Sequence, residues 1–269
     1  MNNLLEKEKF IQFGKMLRFW RKTNRLSQMD LAFDIEISPK HLSFLETGKS
    51  KPSHNLVLKI TDCLRLPLRQ RNAFLVAAGF APVFKEEAFN GKNFLVIREA
   101  LEHILKKHEP YPAIVVNTSY KILMKNSGYD RVIKLFSNNN SLEKYDNSMR
   151  VLFSRDGLHQ YINNWSVIEF FLLSRIKEEI LSSQNEELIS LYSEISKEIK
   201  QERPNDFKLN SDLPIITLVF EKKPIRASFF TTIATLGTPL DITTQELRIE
   251  LFFPSDEKTK ELFNEKFDC

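Results

Sequence analysis

The spacing of apolar residues predicts a series of short helices in the first third of the chain. Over residues 8–24, Ile11, Met16, Leu17 and Trp20 recur near the period of an amphipathic helix. Beyond this stretch, residues that favour helix starts alternate with glycines that favour helix ends. The starts fall at Ser27, Ser38-Pro39, Ser53 and Pro67, and the ends at Gly48 and Gly79. Five short helices leave no room for a sheet, so we predict an all-α domain over residues 1–85.

The pattern changes in the remainder of the chain. A helical stripe over residues 94–105 ends before Pro110, and two β-prone runs at 113–117 and 121–125 predict a hairpin. Helical spacing returns at 164–181, with Asn164 as the expected cap, and at 186–200. Strand-like runs follow at 214–220, 225–235 and 245–253. We therefore predict a second domain over residues 93–269, of the α+β class, with an antiparallel sheet covered by helices.

The last of these runs makes a sharper prediction about the sheet. Leu247, Ile249, Leu251 and Phe253 alternate with Arg248 and Glu250. Because successive side chains of a strand point to opposite faces, this alternation predicts one buried face and one solvated face.

The helix predicted over residues 39–47 has two unlike faces. Leu42 and Leu45 share one face, which the preceding Ile37 extends, whereas Lys40, Ser43, Phe44 and Thr47 lie on the opposite side. A short helix with one narrow apolar stripe and a polar outer face suits the major groove of DNA. The preceding helix, 28–34, is separated from it by a turn of a few residues, which is the spacing of a helix-turn-helix. Glu36 stands in this turn where glycine is usual, so we expect either mild backbone strain or a turn of a different shape there.

The distribution of charge supports a polyanionic partner. Residues 1–85 contain 15 Lys and Arg against 7 Asp and Glu, a net charge of +8, whereas the rest of the chain carries 24 against 28, a net charge of −4. A concentrated positive field favours nucleic acid. No apolar stretch is long enough to cross a membrane, and the N-terminus has no apolar signal core, so we expect a soluble, cytoplasmic protein without a membrane partner. Cys63 is interpreted as a small core residue.

The segment "LSQMDLAFDIEISPKHLSFLETGKSKPS" at 26–53 resembles the helix-turn-helix of the lambda-repressor-like, or XRE, regulators, and the resemblance covers residues 10–80. It implies that Gln28 contacts the DNA backbone or a base, and that residues near the start of the third helix face the groove. It also implies phosphate contacts from two lysines and an ion pair between Arg21 and Glu46. The residues implied at the groove are Pro39, Lys40, His41 and Ser43, with Lys49 and Lys51 at the phosphates. We expect Ser38 and the outward-facing Phe44 to belong to the same DNA-binding surface.

Two later segments are similar to the MmyB-like ligand-binding domain, which has a PAS-like fold. They are "PYPAIVVNTSYKILMKNSGYDRVI" at 110–133 and "TTIATLGTPLDITTQELRIELFFPSDEKT" at 231–259, with "NNW" at 163–165 between them. The resemblance implies a sensor of small molecules, with long apolar molecules such as fatty acids among the ligands. A ligand carboxylate would need a cation or several hydrogen-bond donors at one end of the pocket. The candidates for this end are Arg155, Asn164 and Arg226, and the candidates for an apolar wall are Trp165 and Phe229, which could equally be core residues.

These patterns favour a transcription regulator over an enzyme. The sequence has no phosphate-binding glycine loop, no His-x3-His pair and no Gly-x-Ser-x-Gly motif, so we expect no catalytic residues, no metal and no cofactor. Because one helix-turn-helix reads only a few base pairs, we expect a homodimer on a palindromic DNA operator, held together mainly by residues 93–269. Two alternatives remain. In one, the second domain is only a dimerisation or protein-interaction module, and in the other the chain is an enzyme with an accessory helix-turn-helix.

Overall fold

The computed structural model describes residues 2–137, 144–197 and 214–264. The chain divides into two compact units. The first, here called the helical unit, consists of residues 1–87 together with 239–245. The second, called the sheet unit, consists of residues 88–238 together with 246–269.

The helical unit confirms the predicted all-α fold. Its five N-terminal helices are α1 (Asn2–Thr23), α2 (Gln28–Asp34), α3 (Pro39–Glu46), α4 (His54–Cys63) and α5 (Leu68–Ala77). Ser27, Ser38 and Ser53 cap α2, α3 and α4, each accepting a hydrogen bond from the backbone N–H three residues on. At α2 the Asp30 carboxylate also accepts from the Ser27 N–H, which completes a capping box. These short-range contacts fix where the helices begin.

The core of the helical unit brings α1 against α3 at very short range. Leu42 and Leu45 are fully buried with Phe13 and Leu17 of α1. A Cβ atom at Gly14 would lie only 2.5 Å from the carbonyl oxygen of Glu46, so only glycine permits this approach of the two helices. The sequence of α1 therefore sets the position of α3.

The turn between α2 and α3 keeps the backbone shape that glycine usually provides. Glu36 has a φ of +57°, in the left-handed region that disfavours residues with a side chain. Its exposed carboxylate forms an ion pair with Lys59 of α4. The strain expected from the sequence is therefore present, and the turn has not changed its form to avoid it.

Residues 239–245 complete the helical unit from a distant part of the chain. The Leu68 N–H, at the start of α5, donates to Gln245 Oε1 over 2.7 Å, and the Ile242 N–H donates to the Lys85 carbonyl over 2.9 Å. The Glu87 N–H donates to Asp241 Oδ2 over 2.8 Å. This segment is called the returning segment below.

The sheet unit confirms the predicted α+β class, and its five-stranded antiparallel sheet has the order β2-β1-β5-β4-β3. Its strands are β1 (Ala113–Val116), β2 (Ile122–Lys125), β3 (Leu218–Lys222), β4 (Ile225–Ala234) and β5 (Arg248–Pro254). Its helices are α6 (Leu95–Lys107), α7 (Ser127–Phe136), α8 (Ser148–Phe153), α9 (Trp165–Ser183), α10 (Glu186–Ile195) and α12 (Glu257–Asn264). Short 3₁₀ turns cover Lys92–Phe94 and Leu158–Tyr161, and α11 (Ile242–Glu246) lies between β4 and β5. The predicted loop at 137–148 falls partly outside the described residues, as does the end of the predicted helix 186–200. The predicted run 214–220 is described throughout and forms a strand only from Leu218.

The predicted solvated face of β5 is wrong. Ile249 is buried as expected, but Glu250 is also buried, with only 5% of its surface exposed. Helices pack on both faces of the sheet at this strand: α6 shares a core with Ile249, whereas Glu250 points to the side occupied by α7 and α9. The alternation correctly predicted that Ile249 and Glu250 lie on opposite faces of the strand. The face of Glu250, however, is a polar interior and is not exposed to solvent.

Asn164 also differs from its prediction. It occupies the position before α9, but its side chain makes no capping hydrogen bond. Instead its amide donates to the Thr217 carbonyl over 2.7 Å and its carbonyl accepts from the Val219 N–H over 3.2 Å. The hydrogen-bonding groups of the Asn164 side chain are therefore paired with the backbone at the start of β3, and not with the N–H groups of α9.

Candidate DNA-binding surface and ligand cavity

The outer face of α3 carries the residues predicted to enter a DNA groove. Pro39, Lys40 and Phe44 are exposed, and Ser43 and His41 are half-buried. Ser38 is occupied as the cap, accepting from the His41 N–H over 3.1 Å. The Lys40 ammonium lies 5.8 Å from the centroid of the Phe44 ring, which holds the two side chains together on this face. The helix thus presents a cation, hydroxyls and an aromatic ring away from the core.

The lysines that follow α3 are exposed at its C-terminal end. Gly48, with a φ of +71°, ends the helix in the left-handed conformation, and the Lys49 N–H donates to the Phe44 carbonyl over 2.8 Å. The Lys51 ammonium lies 5.6 Å from the Phe10 ring and 6.0 Å from the Phe80 ring. Lys49 and Lys51 are both exposed residues, as a phosphate contact requires.

A buried ion pair fixes α3 against α1. Glu46 Oε1 accepts from Arg21 Nε over 2.6 Å and Oε2 accepts from Arg21 Nη2 over 3.1 Å, which is a bidentate pair. Arg18 and Gln28 donate to Oε2 over 3.3 Å and 2.8 Å. Burial raises the pKa of the Glu46 carboxyl, but the hydrogen bonds from Arg21, Gln28 and Arg18 outweigh it, so the pKa lies below its ordinary value. The same carboxylate therefore orients Gln28 at the start of α2.

A cavity of about 230 Å³ lies inside the sheet unit, between the sheet and the helices α7, α8 and α9. Its wall is mostly apolar. Phe171 and Thr231 are exposed residues of its lining and mark the side that opens to solvent. The apolar lining includes Ile114, Val132, Leu172, Phe220, Phe229 and Phe252.

The polar residues of the cavity are Tyr129, Ser148, Arg175, Thr231 and Glu250. Arg175 Nη2 donates to Glu250 Oε1 over 3.4 Å, and its Nε donates to the Tyr120 hydroxyl over 3.0 Å. Burial raises the pKa of the Tyr129 hydroxyl, which is therefore neutral, and within the described residues it has no hydrogen-bond partner. One end of the cavity thus offers a cation, a neutral hydroxyl and a carboxyl group.

Arg175 belongs to a network of hydrogen bonds that also includes Tyr120, Glu179 and Arg248. The Tyr120 hydroxyl donates to Glu179 Oε2 over 2.9 Å, and Arg248 Nη1 donates to Glu179 Oε1 over 2.6 Å. The guanidinium groups of Arg175 and Arg248 lie 5.3 Å and 5.7 Å from the centroid of the Tyr120 ring. Arg175 donates to Tyr120 and Glu250, which are both buried. These two contacts fix the orientation of the guanidinium group at the cavity.

Of the ligand-binding residues predicted from the sequence, Phe229 alone lines this cavity. Arg155 and Trp165 line a separate surface depression, where the Trp165 ring packs at 4.8 Å from Phe153. Arg226 is paired with Asp256 over 2.7 Å, and Asn164 is bonded to the backbone before and within β3. Sequence reasoning missed the cation of the cavity, Arg175, which a single sequence shows only as one charged position in an amphipathic helix.

The described residues hold no group of three or more His, Cys, Asp or Glu that could hold a metal ion. Among them there is also no helix both long and apolar enough to cross a bilayer.

These features define a DNA-binding transcription regulator with a separate ligand-binding domain, and comparisons with known proteins identify the family. Residues 97–265, more than half of the chain, match the model of the MmyB-like transcription regulator ligand-binding domain. Residues 17–70 match a helix-turn-helix model. The chain therefore belongs to the helix-turn-helix regulators with an MmyB-like ligand-binding domain.

Solved structures add two similarities. The restriction-modification controller protein C.AhdI from Aeromonas hydrophila is 29% identical, over 23% of this chain and 94% of that chain, with a TM-score of 0.22. The clp gene regulator ClgR from Corynebacterium glutamicum is 22% identical, over 38% of this chain and 95% of that chain, with a TM-score of 0.24. The family assignment rests on the matches to the two family models. The comparison with curated proteins gives no match.

Proposed function

We propose that this regulator is a cytoplasmic homodimer that reads a palindromic operator and changes its DNA affinity when an acyl-chain acid enters the sheet unit. The observation that carries the proposal is the apolar cavity with Arg175 at its polar end. A guanidinium group binds a carboxylate through two parallel hydrogen bonds, and the apolar wall suits a hydrocarbon chain. The helix-covered antiparallel sheet is in keeping with a PAS-like sensor.

The size of the cavity limits the ligand. A cavity of about 150 Å³ holds a benzene molecule, so 230 Å³ has room for roughly nine carbon-sized atoms. We therefore expect saturated fatty acids of about eight to ten carbons to bind more tightly than those of six or sixteen. Titration of the full chain with this series tests the length, and native mass spectrometry of the purified protein tests for a co-purified acid.

Arg175 and two other arginines supply matched variants. Arg175→Gln should weaken decanoate binding by about tenfold or more, because a charge-assisted hydrogen bond is lost, and should affect decanol much less. Arg155→Gln and Arg226→Gln change arginines that lie outside the cavity and should leave decanoate affinity unchanged. Equal loss of decanoate and decanol binding in Arg175→Gln would contradict the assigned role of the guanidinium.

At the DNA, we propose that Gln28 contacts the DNA backbone or a base and that the start of α3 faces the major groove. The residues at the groove are Ser38, Pro39, Lys40, His41, Ser43 and Phe44. Lys49 and Lys51 contact phosphates. Phosphate contacts alone give weak, nonspecific binding, with Kd of about 10⁻⁴ to 10⁻⁶ M, so specific binding needs two recognition helices in successive major grooves, about 34 Å apart.

Two measurements on the full chain test the assembly and the response. Light scattering at tens of micromolar should give the mass of a dimer. Operator affinity measured with and without decanoate should differ, because an effector acts only through a difference in its affinity for two states. A monomer that binds its operator specifically, or an operator affinity that saturating decanoate leaves unchanged, would refute the corresponding part of the proposal.

A further inference from the structure

The ionisable groups at the polar end of the cavity balance one another in charge when all of them are ionised. Two guanidinium groups, Arg175 and Arg248, face two carboxyl groups, Glu179 and Glu250. A ligand carboxylate placed on Arg175 would add one negative charge to this interior cluster. Because an uncompensated charge is strongly disfavoured away from water, the cluster must lose a charge when such a ligand binds.

Of the two carboxyl groups, Glu250 accepts the fewer and the longer hydrogen bonds within the described residues. Glu179 accepts hydrogen bonds of 2.6 Å from Arg248 and 2.9 Å from Tyr120. Glu250, which is more deeply buried, accepts within the described residues only the 3.4 Å bond from Arg175 Nη2. Burial raises the pKa of the Glu250 carboxyl, and the charges of Arg175 and Arg248 oppose the rise without cancelling it.

The same contact is the one that an acid ligand would take. Nη2 of Arg175 points to Glu250, its Nε points to Tyr120, and the side chain, 31% exposed, lines the cavity. A carboxylate that binds the Nη edge of the guanidinium competes with Glu250 for it and lies close to the Glu250 carboxyl. Two carboxylates that share a site cannot easily both be ionised, which raises the pKa of Glu250 further.

From this juxtaposition we propose that Glu250 takes up one proton from solvent when an acid binds Arg175, so that the ligand carboxylate replaces the Glu250 carboxylate as the counter-ion. The proposal rests on the proposed function and adds the chemistry of the exchange. The titratable and charged groups that face Glu250 are Arg175 and Glu179 of α9, Arg248 of its own strand, and Tyr129 of α7. Both tyrosines of the site, Tyr120 and Tyr129, stay neutral because burial raises their pKa.

The sign of the pH dependence follows from the proton balance. The complex holds one proton more than the free protein at pH values between the pKa of Glu250 in the free protein and its higher pKa in the complex. Affinity for an acid should therefore fall by about tenfold for each pH unit above the pKa of Glu250 in the ligand-free protein, until the pKa of the complex is reached. Affinity for an alcohol of the same chain length should not depend on pH in this way.

Calorimetric titration of the full chain with decanoate tests the proposal without any variant. Heats measured at each of several pH values in phosphate and in Tris, which differ in ionisation enthalpy, give the number of protons exchanged. We expect an uptake of about one proton with decanoate and none with decanol. Glu250→Gln, which mimics the neutral carboxyl, should still bind decanoate but without proton uptake. Glu169→Gln is the matched control, since Glu169 is half-buried and has a raised pKa but lies outside the cavity.

The outcomes separate this inference from the proposed function. If decanoate binds the wild type without proton exchange at every pH, or if Glu250→Gln still takes up a proton, the exchange at Glu250 is refuted while acid binding stands. If decanol binds as tightly as decanoate, the acid class and the exchange both fail, although a sensor of apolar molecules remains. If neither molecule binds, the proposed ligand class and this inference fail together.

Discussion

Replacing Glu46 with glutamine tests the buried ion pair that joins α1 to α3. The amide keeps the shape of the side chain but removes its charge, and the Arg21 side chain, only 10% exposed, then lacks a counter-ion. Breaking a buried pair by removing one partner costs about 3–5 kcal/mol. Arg21 retains the Leu26 carbonyl as an acceptor, and Arg18 is half-exposed, so we expect the lower end of that range, about 3 kcal/mol.

The two tryptophans of the chain allow each unit to be followed separately. Trp20 is buried in the helical unit and Trp165 lies in the sheet unit. In a Trp165→Phe background, fluorescence of Trp20 during urea denaturation reports on the helical unit. Glu46→Gln should lower the midpoint without changing the slope. The control is Glu36→Gln, which removes an exposed ion pair and should hardly move the midpoint.

The pH dependence gives a second measure of the same pair. Because the pKa of Glu46 is lowered in the folded protein, its contribution is present above its ordinary pKa of 4.5 and is lost as pH falls through the lowered value. The stabilities of the wild type and Glu46→Gln should therefore differ most at neutral pH and converge only as pH falls below 4.5 and through the lowered pKa of Glu46. A Glu46→Gln midpoint that matches the wild type at pH 7 would refute the assignment of this pair as buried and stabilising.

Three further predictions concern the DNA-binding surface and its support. Lys40→Ala should change which operator sequence is preferred. Lys49→Ala should instead weaken binding to every duplex and reduce the slope of log affinity against log salt concentration by about one unit. DNA titration at several salt concentrations measures both effects, and an unchanged slope for Lys49→Ala would place that lysine away from phosphate. Gly14→Ala should lower the melting temperature of the helical unit and its DNA affinity, because the new methyl group meets the Glu46 carbonyl oxygen, whereas Gly237→Ala, which has open space around it, should do neither. Glu36→Gly should raise the melting temperature of the helical unit by roughly 2–5 °C in calorimetry, because glycine relieves the left-handed strain. An unchanged or lower melting temperature would contradict that strain, since the exposed Lys59 contact contributes little.

The elements of the helical unit are predictable because their signals are local. Ser27 and Asp30 are three residues apart, and the predicted helix 28–34 has the same bounds in the structure. The apolar face of α3 follows from the positions of Leu42 and Leu45 alone. In each case the residues that determine where the helix begins or which face it buries lie within one helical turn of each other. A short stretch of sequence is therefore enough to predict them.

The polar end of the cavity was not predictable because its partners are distant in the chain. Arg175 is 55 residues from Tyr120 and 75 from Glu250. The alternation in β5 correctly separated Glu250 from Ile249, but the helices that cover its face come from other parts of the chain. Asn164 shows the same limit, because the strand that satisfies its side chain begins more than 50 residues later.

The returning segment has a consequence for chimeric regulators. Because residues 239–245 belong to the helical unit, the chain passes between the two units three times, after residues 87, 238 and 245. A fusion that joins residues 1–87 to a foreign sensor at one junction would omit Gln245 and Asp241. The N–H groups of Leu68 and Glu87 would then lose their acceptors. A chimera with a foreign sensor domain should therefore also carry residues 239–245, inserted between the two strands of the foreign domain that correspond to β4 and β5. The helical unit would then keep all of its parts.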